Sequence, residues 1–192
     1  LTMPENMEAG IFTINGNRKC RKGKKQLVLD SLGNYPKEDV VSLTIRKDLL
    51  FDILLGRRKI NWRDIKPTTV NTFLEKDLMG KLILVEGTDP DKHYDLTSVN
   101  DNVFPFEVRR YKYVHYRTSM DFSGSQAIVK LNEEDPYEMN CQPFEQKDII
   151  YSELNEESEA SDWSAGNWYI GLHLDKVLER KLTTEDQEAL DL

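Results

Sequence analysis

Arg18-Lys19-Cys20-Arg21-Lys22-Gly23-Lys24-Lys25 sets six cations together with no acid among them. Loop-borne Lys and Arg suit phosphate contacts, because each cation neutralises one phosphate and releases its counterions. A second cluster, Arg57, Arg58, Lys59, Arg63 and Lys66, carries only Asp64 against it. It follows a helix-like run, where cations also offset the negative end of the helix dipole. The third stretch is Glu107-Val108-Arg109-Arg110-Tyr111-Lys112-Tyr113-Val114-His115-Tyr116-Arg117. Read as a strand, it puts Arg109, Tyr111, Tyr113, His115 and Arg117 on one face, and Val108, Val114 and Tyr116 on the other with Arg110 and Lys112. Rings that stack on bases, beside guanidinium groups that follow the phosphates, are the chemistry of single-stranded nucleic-acid binding. The plain alternative is a set of solvated loops and a strand whose tyrosines pair across a sheet.

Catalytic chemistry finds less to work with. Asp89, Asp91, His93 and Asp95 fall within seven residues and, with Glu107, outline a metal-dependent nuclease reading. The spacing lacks the glycine and closing glutamate of a calcium loop, Asp89-Pro90-Asp91 is also a turn sequence, and Arg109 stands where a nuclease lysine would be. His115 and His173 are isolated from other ligand types, which favours structural roles. Cys20 and Cys141 lack a CxxC partner or a neighbouring base, and neither a GxGxxG nor a Walker loop occurs. No catalytic residue, metal ligand or cofactor is therefore assigned, and binding is favoured over catalysis.

The charge is sorted along the chain. Residues 1–131 hold 22 Lys/Arg against 17 Asp/Glu, whereas 132–192 hold 4 against 17, within a whole-chain net of −8. Five of the acids lie between 153 and 162, followed by Trp163 and Trp168. Glu156, Glu157 and Glu159 with Trp163 as an anchor outline a surface for a basic protein partner. The same acids would also suit a cover for the basic patch, or a plain solvated loop.

These residues need elements to position them. Residues 11–14, 26–30, 40–45, 82–85, 93–99, 104–117, 127–131, 149–151 and 168–174 read as strands, from β-branched runs and turn signals. Leu49, Leu50, Ile53 and Leu54 share one helix face, with Gly56 as a stop. Pro67 to Leu78 reads as a second helix, with Thr68 or Thr69 as its cap, Val70, Phe73, Leu74 and Leu78 as its stripe and Gly80 after its end. Thr183 or Thr184 opens a short C-terminal helix with acids in its first turn.

The fold expected is α+β: a mainly antiparallel β-sheet with two helices in the N-terminal half and a short C-terminal helix. Residues 1–8 read as a mobile or vector-derived terminus, 9–192 as one domain, and 153–167 as a mobile acidic loop. A 39% hydrophobic content, near the usual share once the ten glycines are added, supports a packed core. No apolar run reaches the ~20 residues that span a bilayer, and two distant cysteines make no disulfide framework. The chain reads as soluble and intracellular, cytoplasmic or nuclear, and not secreted. The leading function is a nucleic-acid-associated domain using residues 18–25, Arg57, Arg58 and the 107–117 strand. The alternatives are an adaptor or inhibitor domain using the acidic region, and the nuclease. No membrane partner is implied.

Overall fold

The computed structural model describes residues 27, 29, 32–66, 68–94, 96, 103–141 and 168–191. The basic octet, the acidic stretch with Trp163, and the strands expected at 11–14 and 149–151 lie outside the described residues.

Six strands form one mixed, mostly antiparallel sheet: β1 (Val40–Thr44), β2 (Ile60–Ile65), β3 (Tyr113–Arg117), β4 (Gln126–Leu131), β5 (Tyr137–Cys141) and β6 (Trp168–Lys181). The order is β1-β3-β4-β6-β2, with β5 also on β6, and only β1–β3 is parallel. β6 is long enough to serve three partners. Its first residues lie between β2 and β5, and its second half pairs with β4. β4 and β5 are therefore successive along one side of β6, separated by a loop at 132–136.

Helix α1 (Lys47–Leu54) connects β1, at one end of this order, to β2, at the other. It crosses a sheet face, so it must bury a stripe. Leu49, Leu50 and Ile53 pack among Val41, Val114, Tyr116, Val129, Ile170 and Leu172 in the main core. Each such side chain contributes about 1.5–3 kcal/mol when fully buried. Gly56, at φ +74°, ends the helix in the left-handed region that favours glycine.

The short C-terminal helix α3 (Thr184–Asp191) is held by a buried carboxylate. Asp186 accepts from Ser125 Oγ at 2.5 Å and from Lys47 Nζ at 3.0 Å, while its amide donates to Thr183 Oγ1 at 3.1 Å. Burial alone would raise the Asp186 pKa. The hydrogen bonds from Ser125 and Lys47, with the Lys47 charge, outweigh it and hold the carboxyl below its usual range.

Several sequence expectations are corrected. Helix α2 spans only Val70–Phe73, not residues 67–78. Leu74 leaves it for a bridge to Val108, and Lys76 bridges Leu82. The Asp77 side chain accepts the amides of Met79 and Lys81 at 2.8 and 3.0 Å, a local bond that closes a turn where a helix would have continued. Gly80, at φ +81°, belongs to that turn. Thr69 is the α2 cap residue, yet its hydroxyl donates to Asp64 O and makes no capping bond. Residues 82–85 make single bridges only, as do 104–112 before β3 begins, and His93, Tyr94 and Leu96 lie outside any strand.

Around these bridges three extended segments close a ring of backbone bonds. Glu75 N–H donates to Glu107 O at 3.0 Å, Glu107 N–H to Ile83 O at 2.8 Å, and Ile83 N–H to Glu75 O at 3.2 Å. Leu74, Leu82, Leu84, Phe106 and Val108 from the same segments pack with the main core.

Leu50 is 0% exposed in the helix–sheet core, whereas Leu55 is 49% exposed. Leu50→Ala should cost about 2–5 kcal/mol in urea unfolding, and Leu55→Ala about 0.5 kcal/mol or less. Similar losses at both positions would contradict the packing described.

Candidate functional site

The aromatic and basic side chains of 109–117 do not share one face. Arg109 Nε donates to Leu74 O at 3.2 Å, and Tyr111 OH donates to Thr72 O at 2.6 Å, so both are tied to the α2 side. Tyr113 meets Tyr35 edge-on, with centroids 4.7 Å apart. Arg117 lies over the Phe122 ring at 4.6 Å. The opposite face is as expected for Val114 and Tyr116, which enter the core, and Tyr116 OH donates to Asn61 Oδ1 at 2.8 Å.

The expected platform fails because the chain changes partners at residues 109–112. Arg109 N–H donates to Phe73 O, whereas Lys112 N–H donates to Asp39 O and Lys112 O accepts from Leu131 N–H. Alternation therefore holds only from Tyr113 onward.

His115 is 1% exposed and serves the interior. Its Nε2 lies 2.8 Å from Gln126 Oε1 and its Nδ1 3.2 Å from Ser42 Oγ. Gln126 Nε2 donates to Leu27 O, which fixes the amide with its oxygen toward the ring. The neutral, Nε2-protonated ring satisfies both contacts, and burial pushes its pKa down.

The post-helical cluster also turns out differently, because β2 runs through it. Arg57 and Arg58 both approach Asp52, at 3.8 and 3.9 Å, and Arg58 is largely covered. Arg63 donates to Asn61 Oδ1 and to Thr44 O, each at 3.0 Å, and Lys66 pairs with Asp64 at 3.1 Å. These cations are engaged with their own chain.

What the fold does bring together is a pocket of about 450 Å³ between residues 110–113 and the β4–β5 loop. Tyr111 and Tyr113 line it with Arg110, Lys112, Lys130 and Glu133. Lys130 and Glu133 pair at 2.9 Å, and that hydrogen bond holds each in its ionised form. Lys112 approaches Asp39 at 3.8 Å. Behind the pocket, Tyr137 OH accepts the Tyr111 amide and donates to Tyr111 O at 3.3 Å. Burial pushes the Tyr137 phenol up to about 12, so it stays protonated and keeps donating.

His173 fixes the pocket's loop wall. Nδ1 donates to Asp135 O at 2.7 Å and Nε2 to Glu138 Oε1 at 2.9 Å, so the imidazolium satisfies both acceptors. Its backbone adds bonds to Pro136 O and from Asn132 N–H. Partial burial would lower the His173 pKa, but the Glu138 and Asp135 contacts outweigh it and raise it.

Sequence reasoning set Arg110 and Lys112 on the face opposite the tyrosines, whereas all four residues line this pocket, and it passed over Lys130 and Glu133. The available signal was the hairpin: β3 and β4 pair Tyr113 with Lys130. In the proposed metal stretch, Asp89 Oδ1 accepts the Asp91 amide at 3.0 Å, a turn contact. Among the described residues, no three His, Cys, Asp or Glu side chains gather as metal ligands. Burial raises the Cys141 pKa, which favours the thiol. No described helix is long and apolar enough to cross a membrane. No family model, curated protein or solved structure matches the chain.

The two histidines predict opposite pH effects. Below the ordinary value of 6.5, the unfolded chain binds a proton that His115 refuses when folded, so its stabilisation falls as pH drops through 6.5. His173 contributes fully below 6.5 and loses its contribution as pH rises through its raised folded value. In urea unfolding across pH, His115→Asn should flatten the acidic limb and His173→Asn the limb above 6.5. Unchanged slopes in both variants would refute these assignments.

Proposed function

We propose that this chain is a single, non-catalytic binding domain for single-stranded nucleic acid, with the pocket beside Tyr111 and Tyr113 receiving one nucleotide. The observation that carries the reading is two tyrosines and three cations, Arg110, Lys112 and Lys130, around one concavity. Its volume of about 450 Å³ falls in the ~300–1,000 Å³ range of small-ligand sites. A base stacks on a ring in a sequence-tolerant way, while the cations neutralise the flanking phosphates. Glu133 holds Lys130 at 2.9 Å, whereas Asp39 stands off the more exposed Lys112 at 3.8 Å, so Arg110, with Lys112 on release of that longer pair, is the main phosphate partner. In this reading the octet at 18–25 adds phosphate contacts from the segment preceding Leu27.

The test is a salt titration of oligonucleotide binding by fluorescence anisotropy. Wild-type protein should bind single strands more tightly than duplex, and more weakly as salt rises. Arg110→Glu with Lys112→Glu should weaken single-strand binding at least tenfold and reduce the log–log salt slope by about 1.4, at ~0.7 per phosphate contact. Reversing Lys22, Lys24 and Lys25 should weaken it further. Absence of salt-sensitive binding at low ionic strength would sink the reading.

A further inference from the structure

A carboxylate stands among the cations of the tyrosine pocket. Glu133 lines that pocket with Lys112 and Lys130. Its Oε1 lies 2.9 Å from Lys130 Nζ, and the charge of Lys112 reaches it as well. The β3–β4 ladder sets Lys130 directly across from Tyr113, so the ion pair and that ring share one concavity. The backbone that presents Glu133 is held on both sides. Asn132 N–H donates to His173 O at 3.0 Å, and His173 N–H donates to Pro136 O at 2.9 Å. The Asn132 side chain accepts the amides of Glu134 and Asp135, each at 3.1 Å. The Glu133 side chain is itself 77% exposed, and the ion pair with Lys130 holds it in place.

An anionic group that takes a lysine proton at this place does what a ligand phosphate would do there. The two compete, because two anions brought into one concavity repel each other. Glu134 is the natural contrast. It is the next acid along the same loop and is exposed, but it lies outside the pocket lining.

We propose that Glu133 is an autoinhibitory residue, which occupies a phosphate subsite at Lys130 and keeps it closed to a bound single strand. The inference rests on the nucleic-acid reading of the pocket and adds to it one phosphate contact that the wild-type chain withholds.

Anisotropy titrations of a single-stranded oligonucleotide across a range of salt test it. Glu133→Gln keeps the size of the side chain and removes its charge. It should tighten binding about fivefold at low salt and steepen the log–log salt slope by ~0.7, the share of one phosphate contact. Glu134→Gln removes the same charge from the same loop and should change affinity by less than about twofold. In a Lys130→Gln background the gain from Glu133→Gln should vanish. Equal gains from the two glutamate variants, an unchanged slope in Glu133→Gln, or a gain that persists without Lys130 would each overturn the proposal. If Arg110→Glu with Lys112→Glu abolishes binding while Glu133→Gln gains nothing, the autoinhibitory role falls and the nucleic-acid reading stands. If neither wild-type chain nor Glu133→Gln binds at low salt, both fall.

Discussion

Residues 168–174 of β6 are buried except for the half-buried His173, so their backbone groups must find partners away from water. β2 and β5 meet this need from opposite edges. Much else follows from it. Gly171 sits where an added Cβ would come within 3.1 Å of Glu138, Ile60 and Trp62, so the neighbouring strands pack closely at that point. On the β4 side the ladder is not continuous along all fourteen residues: β5 pairs with 168–172 and β4, with two register shifts, with 174–181. The break between β4 and β5 becomes the 132–136 loop, which His173 fastens and which walls the tyrosine pocket. Core pairing and candidate site are thus linked through one strand.

The elements legible in the sequence were those whose local pattern agreed with their tertiary role. The Leu49, Leu50 and Ile53 stripe faces the sheet as its spacing requires, and the β-branched run at 40–45 contains β1. β2 and β5 were missed for a common reason. Asn61, Arg63 and Asp64, like Glu138 and Asn140, look like loop chemistry, yet pairing with β6 supplies the strand that their composition does not announce. Tertiary context overrides such propensities routinely. The opposite error, a full helix at 67–78, came from reading Leu74 and Leu78 as one stripe. Leu74 is buried through a bridge, while Leu78 stands in solvent.

The candidate site was legible in its residue types and not in its arrangement. Tyr111 and Tyr113 belong to the pocket, but their cationic companions are Arg110, Lys112 and Lys130, because residues 109–112 pass from the α2 side to β1 and β4. Alternation is a property of a regular strand, and it carries no information across such a change of partners. His115 shows the same limit within the strand. It alternates onto the face expected, but Ser42 and Gln126 enclose it there.

The ring through Glu75, Ile83 and Glu107 also governs how this chain can change in length. Each of its three segments gives one amide and takes one amide, so inserting or deleting a residue in any of them shifts two bonds and turns the flanking apolar side chains away from the core. A change of length outside the three segments leaves those ring bonds in place, although the 77–81 turn is set by its own bonds to Asp77. Length variation among descendants of this sequence should therefore fall outside the three segments, leaving them constant in length even where their side chains diverge.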